Sequence, residues 1–172
     1  MLKFVGAVCV LGGTAGVLHS WIREQKEQQK RMENFIFFLQ KSRYVMSTEK
    51  IKIVDYLDRY VEQKDILLAQ ILDEIRKRLL TNTYPNGQMV WEEVFREEEE
   101  KLHFDKEVFL VIVQAGNGFF GRSREENISF LQKSIEDLEQ EQERLKEKSI
   151  QERKVWIPVG MLGSVMLVIL LL

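Results

Sequence analysis

Three glycines near the middle of the chain have the spacing of a phosphate-binding loop. Gly116, Gly118 and Gly121 form the pattern G-x-G-x-x-G, which follows a β-branched run at 108–113 and precedes a helical pattern. In a dinucleotide-binding unit, such glycines bring backbone N–H groups and a helix N-terminus close to a pyrophosphate. Asp137 follows at about the distance where such units place an acidic residue. The pattern therefore raises nucleotide binding as a hypothesis.

The surrounding sequence does not supply the elements that such a site requires. A Rossmann unit continues into further parallel strands, whereas here the next helix leads into charged residues and an apolar segment. No second strand-like run is present to pair with 108–113. A helix that is capped by Asp105 and ends in a glycine turn accounts for the same residues, because glycine adopts the left-handed conformation of helix ends without a steric cost. We predict this helix and turn, and no cofactor.

Other catalytic and metal-binding patterns are missing from the sequence. His19 and His103 each stand alone, and the single cysteine, Cys9, excludes a disulfide framework and a cysteine-based zinc site. The carboxylates have no group of a second kind with which to form an acid–base pair. With 25 Lys and Arg against 27 Asp and Glu, the chain also lacks the basic excess typical of nucleic-acid-binding proteins. The sequence predicts a protein that is not an enzyme and holds no metal ion.

The apolar segment at residues 155–172 predicts a membrane-spanning helix. It contains no ionisable residue and is long enough to cross most of a bilayer core. Arg153 and Lys154 precede it directly, where their side chains can reach lipid headgroups, and Trp156 stands at an interfacial position. A buried helix of a soluble core is the alternative, but such a helix normally has a polar face.

Residues 1–22 predict a second span, at the N-terminus. Lys3 and His19 are its main polar residues, and no A-x-A-like site follows the apolar run, so a retained anchor is favoured over a cleaved signal peptide. Basic residues concentrate on the inner flanks of both segments, at Arg23, Lys26, Lys30, Arg31, Arg144, Lys146, Lys148, Arg153 and Lys154. The positive-inside rule then places residues 23–154 in the cytoplasm and both termini outside.

Hydrophobic periodicity divides residues 23–154 into helices. Residues 22–46 continue the first span as a helix, and Ser47 and Thr48 are predicted to cap a following helix of roughly 30 residues. The apolar face of that helix consists of Ile51, Val54, Val61, Leu68, Leu72, Ile75 and Leu79. A turn follows at 82–87, and Trp91, Val94, Phe95 and Leu102 then mark a shorter helix.

The last helix is predicted to run on into the C-terminal apolar segment. Ser123 and Glu126 have the spacing of a capping box at its start. Its apolar stripe consists of Ile128, Leu131, Ile135, Leu138 and Leu145. The predicted fold class is therefore all-α, an antiparallel helical bundle at 23–154 flanked by N- and C-terminal transmembrane helices.

Two sets of residues are candidates for contacts with other proteins. The run Glu97, Glu98, Glu99 and Glu100 is either a solvated helix face or an acidic docking patch for a basic partner. Small residues four positions apart let helix backbones approach closely in lipid. Such pairs occur in both apolar segments, as Gly12 with Gly16 and Gly160 with Ser164. We predict that they pack against other membrane helices.

The layout of the whole chain resembles the stage III sporulation protein AB family. The resemblance rests on MLKFVGAVCVLGG at the N-terminus, on WEEVF, on DKEVFLVIVQAGNGFFGRSREEN and on RKVWIPVGMLGSVMLVILL at the C-terminus. In the family an acidic residue tends to follow the Ser, where this chain has Arg124, and Asn127 is the closest candidate for a nearby Gln.

The resemblance implies a specific fold and specific partners. The family is a membrane component of the secretion-like apparatus that links mother cell and forespore, and its cytoplasmic domain is similar to platform protein F of type II secretion and type IV pilus systems. It implies a secretion-type cytoplasmic ATPase and other membrane subunits of the same complex as partners. The glycine turn with Arg122 and Arg124, or the acidic run at 97–100, would then dock the ATPase.

A membrane-tethered coiled-coil scaffold without an ATPase is the alternative function. In that case the apolar stripe within 123–154 would pair with its own copy. The scaffold predicts a stable homo-oligomer of residues 23–154, whereas the platform allows a monomer in the absence of the spans.

Overall fold

The computed structural model describes residues 2–49, 51–60, 66–81 and 84–171. Every regular element in these ranges is a helix, which confirms the predicted all-α class. The helices are α1 (Leu2–Thr48), α2 (Ile53–Tyr60), α3 (Ile66–Thr81), α4 (Gly87–Glu97), α5 (Glu99–Leu102), α6 (Lys106–Ala115), α7 (Asn117–Phe120) and α8 (Arg124–Leu171). They form two compact units, a stem unit of Met1–Gln29 with Gln142–Leu172, and a bundle unit of Lys30–Glu141.

The stem unit consists of the first part of α1 and the last part of α8. Both helices are continuous, so the predictions that 22–46 extend the N-terminal helix and that the last helix runs into the C-terminal segment are confirmed. Within the described ranges, none of the helices is both long enough and apolar enough to cross a membrane.

The bundle unit is built around a cluster of aromatic side chains. Phe38 on α1 lies at its centre and is fully buried. Its ring centroid lies 4.7–6.4 Å from those of Tyr60, Phe119, Phe35, Tyr56 and Trp91. Such tilted and offset ring pairs contribute roughly 0.5–1.5 kcal/mol each beyond the area that they bury. The cluster therefore joins α1, α2, α4 and α7 in one core.

Trp91 connects this cluster to α6. Its indole Nε1 donates a hydrogen bond to the carbonyl oxygen of Ile112 at 3.0 Å, and its ring lies 5.1 Å from that of Phe119. The side chain is almost completely buried, so the indole N–H would otherwise lack a partner at a substantial cost in free energy. This hydrogen bond fixes α4 against the middle of α6.

The prediction that Ser47 and Thr48 cap the following helix is wrong. The two hydroxyl groups donate hydrogen bonds to the carbonyl oxygen of Tyr44, at 2.7 and 2.9 Å, and therefore lie at the C-terminal end of α1. The predicted helix consists of α2 and α3, and Val61 lies outside the described residues.

The buried face of α2 also differs from the predicted stripe. Leu68, Leu72 and Ile75 on α3 are buried as predicted, but in α2 the buried residues are Tyr56, Leu57 and Tyr60. The contacts of both tyrosines with Phe38 determine this face, and the Tyr56 hydroxyl forms a 3.0 Å hydrogen bond with Ser42.

Side-chain caps define the starts of α4 and α8. Asn86 accepts a hydrogen bond from the backbone N–H of Met89 at 2.9 Å. Ser123 Oγ accepts one from the N–H of Glu126 at 3.1 Å, while the Glu126 carboxylate accepts one from the N–H of Arg122 at 3.3 Å. The predicted cap by Ser123 is confirmed, but the Glu126 carboxylate bonds to the N–H of Arg122, one residue before the cap, and not to that of Ser123 as in a capping box. Of the predicted turn, residues 82 and 83 lie outside the described residues, and 84–86 precede α4.

Replacing Phe38 should destabilise the bundle unit far more than replacing its neighbour Phe37, which is 57% exposed. We expect Phe38→Ala to cost about 3–5 kcal/mol, because a fully buried ring leaves a cavity in the aromatic cluster. Phe37→Ala should change stability by no more than about 0.5 kcal/mol. Urea unfolding of the full-length protein in mild detergent, followed by tryptophan fluorescence, measures both. Equal effects would contradict the central position of Phe38.

Candidate functional site

The predicted phosphate-binding glycines form a corner between α6 and α8. Gly116 has helical backbone angles, with φ −55° and ψ −32°, and Gly121 is extended, with φ −69° and ψ 175°. Among the described residues, no glycine has a positive φ. The prediction of a left-handed glycine turn is therefore wrong, and the glycines need another physical reason.

That reason is close packing. A Cβ atom on Gly116 would lie 2.6 Å from Trp91 Cδ1, and one on Gly118 would lie 2.6 Å from Leu131 Cγ and 3.1 Å from the Leu131 backbone nitrogen. A Cβ on Gly121 would collide with the Asn127 side chain. The motif lets the chain pass directly against α4 and α8, in contacts that leave no room for a side chain.

The backbone groups of this corner are used within the protein. The N–H of Gly116 donates to the carbonyl of Val113 at 3.3 Å, and the N–H groups of Phe119 and Phe120 donate to the carbonyl of Gly116 at 2.9 and 3.1 Å. The run at 108–113 lies inside α6 and not in a strand. The strand of a dinucleotide site is thus absent here, and the predicted helix after Asp105 takes its place. Asp105 stands at the N-cap position of α6, but its side chain forms no capping hydrogen bond, so that part of the prediction is wrong. Asp137 lies half-buried on α8.

The two arginines that follow the corner have different environments. Arg124 Nε donates a 2.6 Å hydrogen bond to the carbonyl oxygen of Met46, near the end of α1. A cation beside the last carbonyls of a helix is favoured both by hydrogen bonding and by the helix dipole. Arg124 therefore ties the start of α8 to the end of α1, whereas the side chain of Arg122 is exposed.

The acidic run divides into paired and exposed carboxylates. Glu97 receives two hydrogen bonds from Arg78, at 2.7 and 3.1 Å, and Glu98 forms an ion pair with Lys101 at 2.7 Å. Glu99 and Glu100, at the start of α5, are exposed and have no ion-pair partner in the part of the chain that the structure describes. Within the run, these two carboxylates can therefore meet a partner without breaking an internal pair.

A charged cleft of about 390 Å³ lies between α3 and the α4–α5 segment. Its lining combines acidic, basic and apolar residues: Gln70, Ile71, Asp73, Glu74, Lys77, Arg78, Val94, Glu97, Glu98 and Lys101. Arg78 bridges the helices by pairing with Glu74 on α3 and Glu97 on α4. Sequence reasoning missed the α3 side of this cleft. These residues could have been found from the sequence, because Asp73 with Lys77 and Glu74 with Arg78 place opposite charges four residues apart on one helix.

The ion pairs of this cleft hold Asp73 and Glu97 in the charged form. Hydrogen bonds from Lys77 and then Arg76 lower the pKa of Asp73, and the hydrogen bond from Arg78 lowers the pKa of Glu97. The same bonds raise the pKa values of Lys77 and Arg78. The cleft is therefore a network of charged groups at neutral pH.

Two of the four small residues in the apolar segments, Gly12 and Gly16, have open space beside them among the described residues. A Cβ on Gly12 or Gly16 would meet no atom within 4 Å among the described residues. Gly160 lies half-buried on α8, and the side chain of Ser164 lies outside the described residues. No cluster of three or more His, Cys, Asp or Glu in the described ranges is arranged to hold a metal ion.

One protein-family model matches almost the entire length of the chain. Residues 3–172 match the family model described as stage III sporulation protein AB, in agreement with the resemblance seen in the sequence. No curated protein and no solved structure matches the chain.

Adding a methyl group at Gly118 should destabilise the bundle unit. We expect Gly118→Ala to cost about 1–3 kcal/mol, because the new Cβ collides with both the side chain and the backbone nitrogen of Leu131. The matched control is Gly16→Ala, which has open space and should be neutral or stabilising by up to about 1 kcal/mol through helix propensity. Urea midpoints in mild detergent compare the two. An unchanged midpoint for Gly118→Ala would show that this glycine does not serve packing.

Acidification should weaken the bundle unit through Asp73 and Glu97. Their pKa values are lower in the folded than in the unfolded chain, so their stabilisation is full above the unfolded values of about 3.9 and 4.3 and is lost as the pH falls through the folded values. Urea midpoints measured from pH 7 to pH 3 should fall. Asp73→Asn with Glu97→Gln should lower the midpoint at pH 7, and its difference from the parent should shrink as the pH falls below the unfolded values. A constant difference across this range would contradict the assignment.

Proposed function

Because the chain belongs to the stage III sporulation protein AB family, we propose that it is a non-enzymatic platform subunit of the secretion-like channel complex between mother cell and forespore. In this proposal the bundle unit docks a cytoplasmic secretion-type ATPase, and the two ends of the chain anchor it in the mother-cell membrane. Family membership makes the chain a sporulation protein. The ATPase, the other membrane subunits and the location are parts of the proposal.

The observation that carries the membrane role is the exposed apolar surface at the end of α8. Large apolar residues follow one another without a charge, with exposed fractions of 59% at Val155, 70% at Leu162 and 68% at Ile169. Soluble monomers rarely expose a contiguous apolar surface of this kind. Insertion of this segment and of residues 1–22 into a bilayer would cover it, with 23–154 in the cytoplasm and both termini outside.

The open space beside Gly12 and Gly16 supports contacts with other membrane subunits. Small residues on a lipid-facing helix let a partner helix approach the backbone closely. Van der Waals contacts then stabilise the pair, because the hydrophobic effect does not favour helix association within lipid. Gly160 and Ser164 would play the same part on α8.

The docking surface for the ATPase is assigned by elimination among the predicted candidates. Gly116, Gly118 and Gly121 are occupied by packing, and Arg124 is bound to the end of α1. Glu99, Glu100 and Arg122 are exposed. The two carboxylates lie at the start of α5, close in sequence to Glu97, Glu98 and Lys101 of the charged cleft, so we assign the docking of a basic surface to them.

In this proposal the protein has no catalytic activity of its own. The backbone groups of the glycine corner bond within the protein, and the cleft carboxylates Asp73, Glu74 and Glu97 are engaged in ion pairs. These groups hold helices together, which suits a rigid docking body.

The coiled-coil scaffold requires the apolar stripe of α8 to be free for a second copy. Leu131, Ile135 and Leu138 are instead buried within the bundle unit. Ile128 and Leu145 are half-buried. No observation favours the scaffold over the platform.

Co-purification from sporulating cells in mild detergent tests the proposal. We expect the full-length protein to recover a secretion-type ATPase together with further small membrane proteins. Glu99→Lys with Glu100→Lys should reduce recovery of the ATPase on the order of tenfold, because charge reversal in a docking patch turns attraction into repulsion. The other membrane proteins should be recovered as before.

The matched control reverses two exposed carboxylates elsewhere, Glu143→Lys with Glu147→Lys on α8, and should leave ATPase recovery unchanged. Equal loss in both variants would move the docking site away from α5. Recovery of the chain alone as a homo-oligomer would contradict the platform and support the scaffold.

A further inference from the structure

The stem unit contains a cluster of polar side chains between its two helices. Gln25 on α1 accepts hydrogen bonds from Ser149 Oγ at 2.7 Å and from the Arg153 guanidinium at 3.5 Å. Its amide nitrogen donates to the Glu152 carboxylate at 3.3 Å. One glutamine thus bonds to three residues of α8, on two successive turns.

This cluster lies where an apolar contact between helices would be expected. Ser149 is only 6% exposed, and Gln25 is half-buried. Two further polar atoms in this stretch of α8, Gln142 Nε2 and Arg153 Nε, are buried without a hydrogen-bond partner in the described part of the chain. Buried polar groups of this kind reduce stability relative to an apolar contact.

Such a polar layer has one well-established use in paired helices, which is to fix their alignment. An apolar seam tolerates a shift by one turn, since one leucine replaces another, whereas a shifted polar layer loses its hydrogen bonds and leaves its polar groups unsatisfied. Gln25 bonds to residues that centre on Gln151, and a one-turn shift of about 5.4 Å would break all three contacts.

The alignment that results brings the two apolar segments to the same level. α1 and α8 are continuous helices and run antiparallel, because in the bundle unit Gln40 bonds to Glu139 while Arg43, farther along α1, bonds to Gln132, earlier on α8. Three residues beyond Gln25 toward the N-terminus is Ile22, and three beyond Gln151 toward the C-terminus is Lys154. Both helices rise by about 1.5 Å per residue, so the apolar segments 1–22 and 155–172 start at about the same height.

We propose that Gln25 is a positioning residue that fixes the register of the two stem helices. It does so through Ser149, Glu152 and Arg153, at some cost in stability, and it sets the level at which the two apolar segments begin. The consequence for membrane entry rests on the proposed function. The register itself does not, and it is measured separately.

Disulfide cross-linking of the full-length protein in mild detergent measures the register. In a Cys9→Ser background, Gln29→Cys is combined with Leu145→Cys, because each residue lies one turn from Gln25 and Ser149 and both are half-buried. The shifted pair combines Gln29→Cys with Gln142→Cys. Since disulfides need Cα atoms about 4.4–6.8 Å apart, the first pair should cross-link on the order of tenfold more than the second.

Gln25→Leu should abolish that preference while the protein remains folded. The two pairs should then cross-link to similar extents, because leucine keeps the packing and removes the hydrogen bonds that select one alignment. Ser149→Ala, a smaller change on the opposite helix, should weaken the preference in the same direction, and it provides the test if Gln25→Leu does not accumulate. The matched control is Gln28→Leu, on a neighbouring half-buried glutamine of α1, and should leave the preference intact.

Three results would overturn the proposal. The first is an unchanged preference in Gln25→Leu and Ser149→Ala, and the second is an equal loss in Gln28→Leu. The third is the absence of a preference in the parent itself, which would show that the helices do not pair in this register. None of these readouts involves the ATPase, so a failed co-purification leaves the cross-linking result valid.

Discussion

The packing of Phe38 against Trp91 and their aromatic neighbours is the contact on which the rest of the bundle unit depends. The two rings lie 6.4 Å apart, nearly parallel, and join α1 to α4. Tyr60 brings α2 to the same point and Phe119 brings α7, so helices far apart in the sequence meet in one cluster. The removal of aromatic surface from water stabilises this cluster. The hydrogen bond from Trp91 to the carbonyl oxygen of Ile112 fixes the orientation of the indole ring within it.

The glycine corner is a consequence of this cluster. Trp91 lies against the chain at Gly116, and Leu131 lies against it at Gly118, so the segment that carries Phe119 into the core must pass two bulky side chains. Only residues without a Cβ fit there. A spacing typical of phosphate binding thus arises from a packing requirement, which explains why the glycines have ordinary backbone angles.

The sequence predicted those parts of the fold that depend on local chemistry. The cap of α8 by Ser123, the continuous α8 and the buried stripe at Leu131 all depend on spacing within one helix. The face of α2 was not predictable, because Tyr56 and Tyr60 are buried by Phe38, which lies on another helix. The role of Gly118 was hidden for the same reason, since its contact is with Leu131 on α8.

The helices α1 and α8 make different kinds of contact in the stem unit and in the bundle unit. In the bundle unit, α1 and α8 contribute side chains such as Phe38, Leu131 and Leu138, whose burial provides stability without a strict alignment. In the stem unit the contacts of Gln25 provide alignment with little stability. The register of the stem is thus specified by polar contacts, while the fold of the bundle unit is maintained by the aromatic cluster.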